Sequence, residues 1–368
     1  MRKLISCLAW VSAFGIVFAL LIAPSTLQAA EMPEGWPWHG VSIGFPEGDP
    51  ADIERYKQEL GIDAVRLQLK LRKYAKRRHL TKEQAWDDGI AWVNRMLDCC
   101  SSQDVRAIIN ISAFPLDPDE DMTQTQAGFW KEKSNLDGVI TVAARLAFEF
   151  RTRGKELAGY DVMSEPVIVE GGVSRRPEAW PSLLRRIVST IREHDSHRWI
   201  VIVPGPWGGP NGYNDFEPVA DSRMIYGVHV YKPHRFTHQG IRDISMGEIY
   251  PGMVGFRLWN KERLEQALAP LRRFQQQHDV PVLVGEFSAV RWAKGGEQYI
   301  KDLSAIFDDY GWSWLYFSAT GWHGWNPDYN QHYPGRRTDA SEDFLGDQSI
   351  RWQTLRDIFG MKKGTVKP

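Results

Sequence analysis

Three cysteines are too few and too badly placed to staple this chain. Cys7 lies in the extreme N-terminal segment, leaving Cys99 and Cys100 side by side, a poor geometry for a bridge. No disulfide framework follows, and without a CxxC pair there is no zinc ribbon. Neither sign of charge is in surplus. Lys+Arg 45 against Asp+Glu 46 leave a formal net charge of −1, so the basic footprint of a nucleic-acid binder is missing. A GxSxG nucleophile elbow is absent. The glycine-rich run from Gly205 to Pro210 carries two prolines and the wrong spacing for a GxGxxG phosphate turn. Asp117 to Asp121 begins like a calcium loop, but Met122 stands where glycine is needed and Gly128 where the closing glutamate belongs. His229, His234 and His238 match no standard zinc spacing. No metal or cofactor is therefore expected.

Long apolar runs are confined to the N-terminus. Arg2 and Lys3 precede an uncharged stretch from Leu4 to Ile22, followed by Pro24, Ser25 and a small-residue end at Ala29 and Ala30. That is the layout of a signal peptide over residues 1–29. The stretch also approaches membrane-span length, so an uncleaved anchor is the alternative. Either way the remaining chain is expected outside the cytoplasm, periplasmic or extracellular, with membrane contact only through this segment. Beyond residue 35 no linker, repeat or low-complexity tract interrupts the sequence, and one domain over residues 36–362 is expected.

What the chain has in quantity is tryptophan, 16 residues, several in glycine-rich, loop-like sequence. Indole faces suit the apolar faces of sugar rings, although tryptophan is also ordinary core material. Short β-like runs alternate with amphipathic stretches. Strands are expected over 40–44, 64–69, 106–111, 159–163, 199–203, 224–230, 282–286 and 312–317. Trp180, Leu183, Leu184, Ile187 and Ile191 share one helical face. Leu264, Ala267, Leu268, Leu271 and Phe274 do the same behind Asn260, a suitable N-cap, with Pro270 as a local fault. Ile300, Leu303 and Phe307 mark a further helix. Eight strands alternating with helices predict an α/β fold, a closed (β/α)8 TIM barrel. The segments after the sixth and eighth strands, 231–259 and 318–348, are far longer than ordinary connections. In a barrel both leave from the C-terminal face, where active sites lie.

Two acidic residues stand where strands should end. Glu165 follows Tyr160–Met163 and precedes Pro166, while Glu286 closes the otherwise apolar run from Pro281 to Gly285. Each alone reads equally well as a capping or salt-bridge glutamate on a rim. Together they fit the carboxyl pair of glycoside hydrolysis.

In its motifs the chain resembles glycoside hydrolase family 5, the cellulase-type retaining enzymes. Gly159 to Pro166, ending Ser-Glu-Pro, is similar to the family's fourth-strand motif, which implies that Glu165 is the acid/base. Val282 to Phe287 resembles the seventh-strand motif, which implies that Glu286 is the nucleophile. Arg66 resembles the arginine beside the nucleophile, and His229 with Tyr231 the sixth-strand His-x-Tyr that hydrogen-bonds substrate and nucleophile. These matches fall in order and span about residues 36–360. The resemblance implies a secreted β-glycosidase acting on a polysaccharide or oligosaccharide by double displacement, with a carbohydrate as its partner; the chain is expected to be a monomer.

Three departures touch the sugar-binding residues. Ser164 replaces the family's asparagine before the acid/base, no histidine ends the third strand, and Phe317 takes the place of a tryptophan platform. Trp322 or Trp325 stands close enough in sequence to compensate, and Trp207 and Trp292 are further platforms or packing residues. The family carries a cis peptide after this aromatic, which predicts one at Phe317–Ser318. A carbohydrate-binding barrel with impaired catalysis is the alternative these departures raise.

Overall fold

The computed structural model describes residues 31–335 and 340–363, so the N-terminal apolar segment lies outside the described residues. Eight parallel strands close into a barrel in chain order. They are β1 (His39–Gly44), β2 (Ala64–Leu69), β3 (Arg106–Ile111), β4 (Leu157–Val162), β5 (Trp199–Ile202), β6 (Met224–Val230), β7 (Val282–Phe287) and β8 (Ser313–Tyr316). Their ends fall within two residues of the sequence expectation, because each apolar run is bounded by turn-forming or charged residues that cannot stay buried.

Helices α1 (Pro50–Leu60), α2 (Lys82–Gln103), α3 (Lys133–Phe150), α4 (Trp180–His194), α5 (Lys261–His278), α6 (Gly296–Asp309) and α7 (Ile350–Lys363) cover the outside. The apolar faces read from the sequence are the buried ones: Trp180, Leu183, Leu184, Ile187 and Ile191 on α4, and Leu264, Leu268, Leu271 and Phe274 on α5. Asn260 caps α5 by accepting from the Arg263 backbone at 3.1 Å, and the helix continues through Pro270.

Between β5 and β6 the regular pattern lapses. A 3-10 turn, Pro210–Asp215, stands where a helix would be. Pro204, Pro206, Pro210 and Pro218 remove donors, and the intervening glycines favour an irregular chain, so no α-helix propagates. Tyr213 replaces the missing packing: it lies 4.9 Å from Phe274 of α5, and its hydroxyl donates to the Gly227 carbonyl at 2.6 Å.

Inside the barrel, apolar and polar layers are separated along the axis. Trp38, Ala64, Ile108, Ala158, Val201, Ile225, Leu283 and Leu315 form a closed apolar plug towards the N-terminal ends of the strands. Further along lie buried polar groups, among them Ser42, Arg66, Gln68, Asn110 and Asp161. The period-two rule explains the change. On β2, Ala64 is followed on the same face by Arg66, Gln68 and then Lys70, and on β6 Ile225 is followed by Gly227, His229 and Tyr231.

Two hairpins not legible in the sequence rise from the same rim. One pairs Ile168–Glu170 with Val173–Arg175, and the other Gly252–Val254 with Arg257–Trp259. In the first, Gly171 and Gly172 both take positive φ (57° and 79°), as a tight two-residue turn requires. The Phe317–Ser318 peptide is cis. Among the described residues no helix is long and apolar enough to cross a membrane.

Candidate active site

Strict alternation along β7 would put Glu286 on the wrong face. Leu283 points into the barrel plug, whereas Val282 and Val284 belong to the outer core with the helices, so Glu286 would point outward with them. It does not, because the pairing of β7 with β6 slips by one residue between Val284 and Glu286, where Val228 and His229 are consecutive. Gly285 is the extra residue of this bulge, and its insertion turns Glu286 into the barrel mouth.

There Glu286 meets a dense set of donors. Arg66 Nη1 donates to Oε1 at 2.8 Å and the Tyr231 hydroxyl to Oε2 at 3.1 Å, with Gln68 Nε2 3.4 Å from Oε1. Arg66 is fully buried, and its Nε donates to Asp161 Oδ2 at 2.9 Å, so one guanidinium holds two carboxylates. Opposite stands Glu165, whose Oε1 lies 2.8 Å from His229 Nδ1. His229 Nδ1 is also 3.8 Å from Glu286 Oε2. One ligand-type atom from each of Glu165, His229 and Glu286 lies within 4.8 Å of the others. One oxygen of each carboxyl thus comes within 4.8 Å of the other, in keeping with the close pair of retaining hydrolysis, about 5–5.5 Å between carboxyls, rather than the roughly 6.5–9.5 Å of inverting enzymes. The same three side chains are the one group among the described residues with metal-ligand spacing, but hydrogen bonds within and around the trio already occupy these atoms.

The two carboxyls sit in opposite electrostatic settings. Burial raises the Glu165 carboxyl above its ordinary value, His229 opposes this, and the negative charge of Glu286 adds to it. Burial also pushes Glu286 upward, but His229, Arg66 and Lys70 together outweigh it and hold this carboxyl below the usual range. Neighbouring carboxyls with separated affinities for a proton are the signature of divided acid and nucleophile roles.

Around the pair lies a cavity of about 780 Å³. Its wall includes Tyr231, Phe317 and Trp325, with Trp325 5.7 Å from Tyr231 and 6.4 Å from Phe317. Trp207 also lines it, 42% exposed, its indole N–H donating to Ser174 of the first hairpin at 2.8 Å. On the other side Trp322, 41% exposed, packs against Trp325 at 5.5 Å and lines an adjoining recess of about 470 Å³. The structure thus brings Glu165, Glu286, Arg66, His229 and Tyr231 into contact and places Trp207, Phe317 and Trp322 along one cleft. Ser164 is buried beside Glu165. Trp292 packs behind Trp322 at 5.7 Å, with its N–H given to the Gln239 carbonyl. His234 and His238 stack on each other at 4.0 Å, and burial holds His238 down at about 3, so it stays neutral. Sequence reading missed Asp161, Gln68 and Lys70. Gln68 and Lys70 were available from period two once Arg66 was placed inside; Asp161 had no signal beyond a charge within a strand.

Arg66 is the cation that Asp161 and Glu286 share. Substituting it by methionine leaves Asp161 and Glu286 buried without their cation, and is expected to lower unfolding free energy by about 3–5 kcal/mol in urea titrations. A loss below 1 kcal/mol would mean that the pair is supported elsewhere.

Fold and carboxyl pair together define a glycoside hydrolase of the retaining kind. The family model described as Cellulase (glycosyl hydrolase family 5) matches residues 27–322, and the chain belongs to that family. Endoglucanase C of Acetivibrio thermocellus is 23% identical over 261 residues, covering 62% of this chain and 73% of that protein. Among solved structures, a glycoside hydrolase superposes with a TM-score of 0.67 at 19% identity, covering 87% of this chain and 99% of its own. A hyperthermophilic endo-β-1,4-glucanase in complex with substrate gives 0.61 at 18% identity, covering 86% and 96%. At such identities the structural likeness speaks to the fold. The chain is a retaining β-glycoside hydrolase.

Proposed function

We propose that this hydrolase cuts within β-linked glucan chains, with Glu286 as nucleophile and Glu165 as acid/base, and that residues 1–29 direct its export. The observation that carries the reading is the convergence of Glu165 and Glu286, in opposite electrostatic settings, on one open cavity. Cutting within the chain rests on the name of the relative, Endoglucanase C. The endoglucanase name of the curated relative supports glucan as the polymer.

In the first step Glu286, kept ionised by Arg66 and the Tyr231 hydroxyl, attacks the anomeric carbon while Glu165 protonates the departing oxygen. In the second, Glu165 takes a proton from water, which displaces Glu286 and restores the starting configuration. Arg66, His229 and Tyr231 hold the two carboxyls; Trp207, Phe317 and Trp322 offer faces for sugar rings, and Ser164 stands next to the acid/base. Hydrolysis of soluble β-1,4-glucan, followed by NMR, should release product first as the β-anomer, with a rapid fall in viscosity. A first-formed α-anomer, or end-trimming without viscosity loss, would overturn this reading.

A further inference from the structure

The chain as a whole is charge-balanced, Lys+Arg 45 against Asp+Glu 46, but the cleft is not. Apart from Glu165 and Glu286, its formally charged lining among the described residues is Glu47, Lys70, Lys73, Arg77 and Lys232. Three of the four cations gather in the recess beside Trp322. Lys70 occupies the next inward position of β2 after Gln68, and its ammonium lies 5.6 Å from the centre of the Phe317 ring, at the border between recess and catalytic cavity. Lys73 and Arg77 follow on the short helix Leu71–Arg78. Among the described residues neither lysine ammonium has a hydrogen bond or ion pair. Arg77 meets only Glu47, at 3.2 Å, with both side chains about half exposed, an arrangement worth little in water.

Lys73 and Arg77 are exposed, and Arg77 has Glu47 as its partner, so neither is costly where it stands. Both line a recess whose cations outnumber its one carboxylate among the described residues, and that surplus favours a negative ligand there. Lys70 also serves the catalytic pair, since its charge helps keep Glu286 ionised. Trp322, 41% exposed, lines the same recess and offers a ring face to a sugar. A neutral glucan would draw only hydroxyl hydrogen bonds from the cations, whereas an oxyanion also gains from their charge.

We propose that this recess is a subsite for a sugar residue bearing an anionic substituent, so that the preferred substrate is an acidic β-glycan. The inference rests on the glycan-cleaving reading above and names the substrate class within it. A carboxylate and a phosphate or sulfate ester share the required chemistry, an oxyanion held by ammonium and guanidinium groups.

The test compares hydroxyethyl, carboxymethyl and phosphorylated β-1,4-glucans of matched length, by kcat/KM at low and high salt. The anionic polymers should be preferred at low salt, with the preference shrinking as salt rises. Lys73→Gln and Arg77→Gln should each reduce the anionic-to-neutral ratio about threefold, while Lys73→Arg keeps it. Whichever anionic polymer shows the larger ratio identifies the substituent. Titration calorimetry on the Glu286→Ala protein with the same polymers reads the subsite without turnover. Cleavage of all three polymers with equal efficiency, or a ratio unchanged in both glutamine variants, overturns the proposal. No cleavage of any polymer, with charge-selective binding that Lys73→Gln weakens about threefold, overturns the glucan reading and supports the subsite.

Discussion

Replacing Glu286 by alanine is expected to reduce turnover on β-glucan by about 10⁴-fold or more, the scale on which loss of a covalent nucleophile is felt. The fold should survive. Arg66 keeps Asp161 as a partner, so the variant exposes one buried guanidinium nitrogen to an empty site rather than leaving an unpaired cation. The stability cost should stay near that of one lost charged hydrogen bond, about 1–3 kcal/mol. Glu286→Gln keeps the shape and an acceptor for Arg66, and should be equally inactive with a smaller loss of stability. Two further readouts separate a missing nucleophile from a distorted site. A fluorinated sugar with a good leaving group should label the wild-type protein at position 286 and leave the variant unlabelled. Azide should restore turnover of an activated aryl β-glycoside by Glu286→Ala and yield the α-glycosyl azide, because the small anion attacks from the vacated side. Near-normal activity in the alanine variant would remove the basis for the mechanism.

The strands and helices α4, α5 and α6 were legible because they rest on local patterns: short apolar runs, and faces repeating at 3.6. The bulge at Gly285 was not. Glu286 is visible as an acid closing an apolar strand, but alternation alone assigns it to the outer face, and only pairing against β6 reveals the slipped register. The missing helix after β5 was legible in principle, since Pro204, Pro206 and Pro210, with glycines between them, disfavour one far more than the lone Pro270 that α5 accommodates. The two hairpins left too short a signal, three residues per strand, to stand apart from loop.

Recognition of the site divides in the same way. Glu165, Glu286, Arg66, His229 and Tyr231 are carried by motifs in contiguous sequence. Asp161 shares Arg66 with Glu286 and has no motif of its own. The departures are real features of the cleft: Ser164 is buried beside Glu165, and Phe317 supplies a smaller face than an indole. The two carboxyls and their donors stay in place beside them. That favours an altered substrate preference over lost catalysis and agrees with the cationic recess.

Glu165→Gln should separate the two chemical steps. On polysaccharide, where the departing oxygen is a poor leaving group, kcat should fall by about 10²–10⁴-fold, the usual contribution of a general acid. With a dinitrophenyl glycoside the first step needs no proton, so the glycosyl-enzyme should form readily and accumulate, because water lacks its base. The pH profile should change in one limb only. Under the proposed mechanism, wild-type activity requires Glu286 ionised and Glu165 protonated. Glu286 is held low, so the acid limb lies below that of an ordinary glutamate, and Glu165 is raised, so the alkaline limb lies above it. The limbs belong to the pair, since each charge bears on the other. In Glu165→Gln the alkaline limb should vanish and the acid limb remain. Esterification of Glu286 also removes one cause of the raised Glu165 affinity, leaving burial opposed by His229, and that change suits a group that must next act as base. An unchanged alkaline limb in the glutamine variant would assign it to another group, with His229 the first to test.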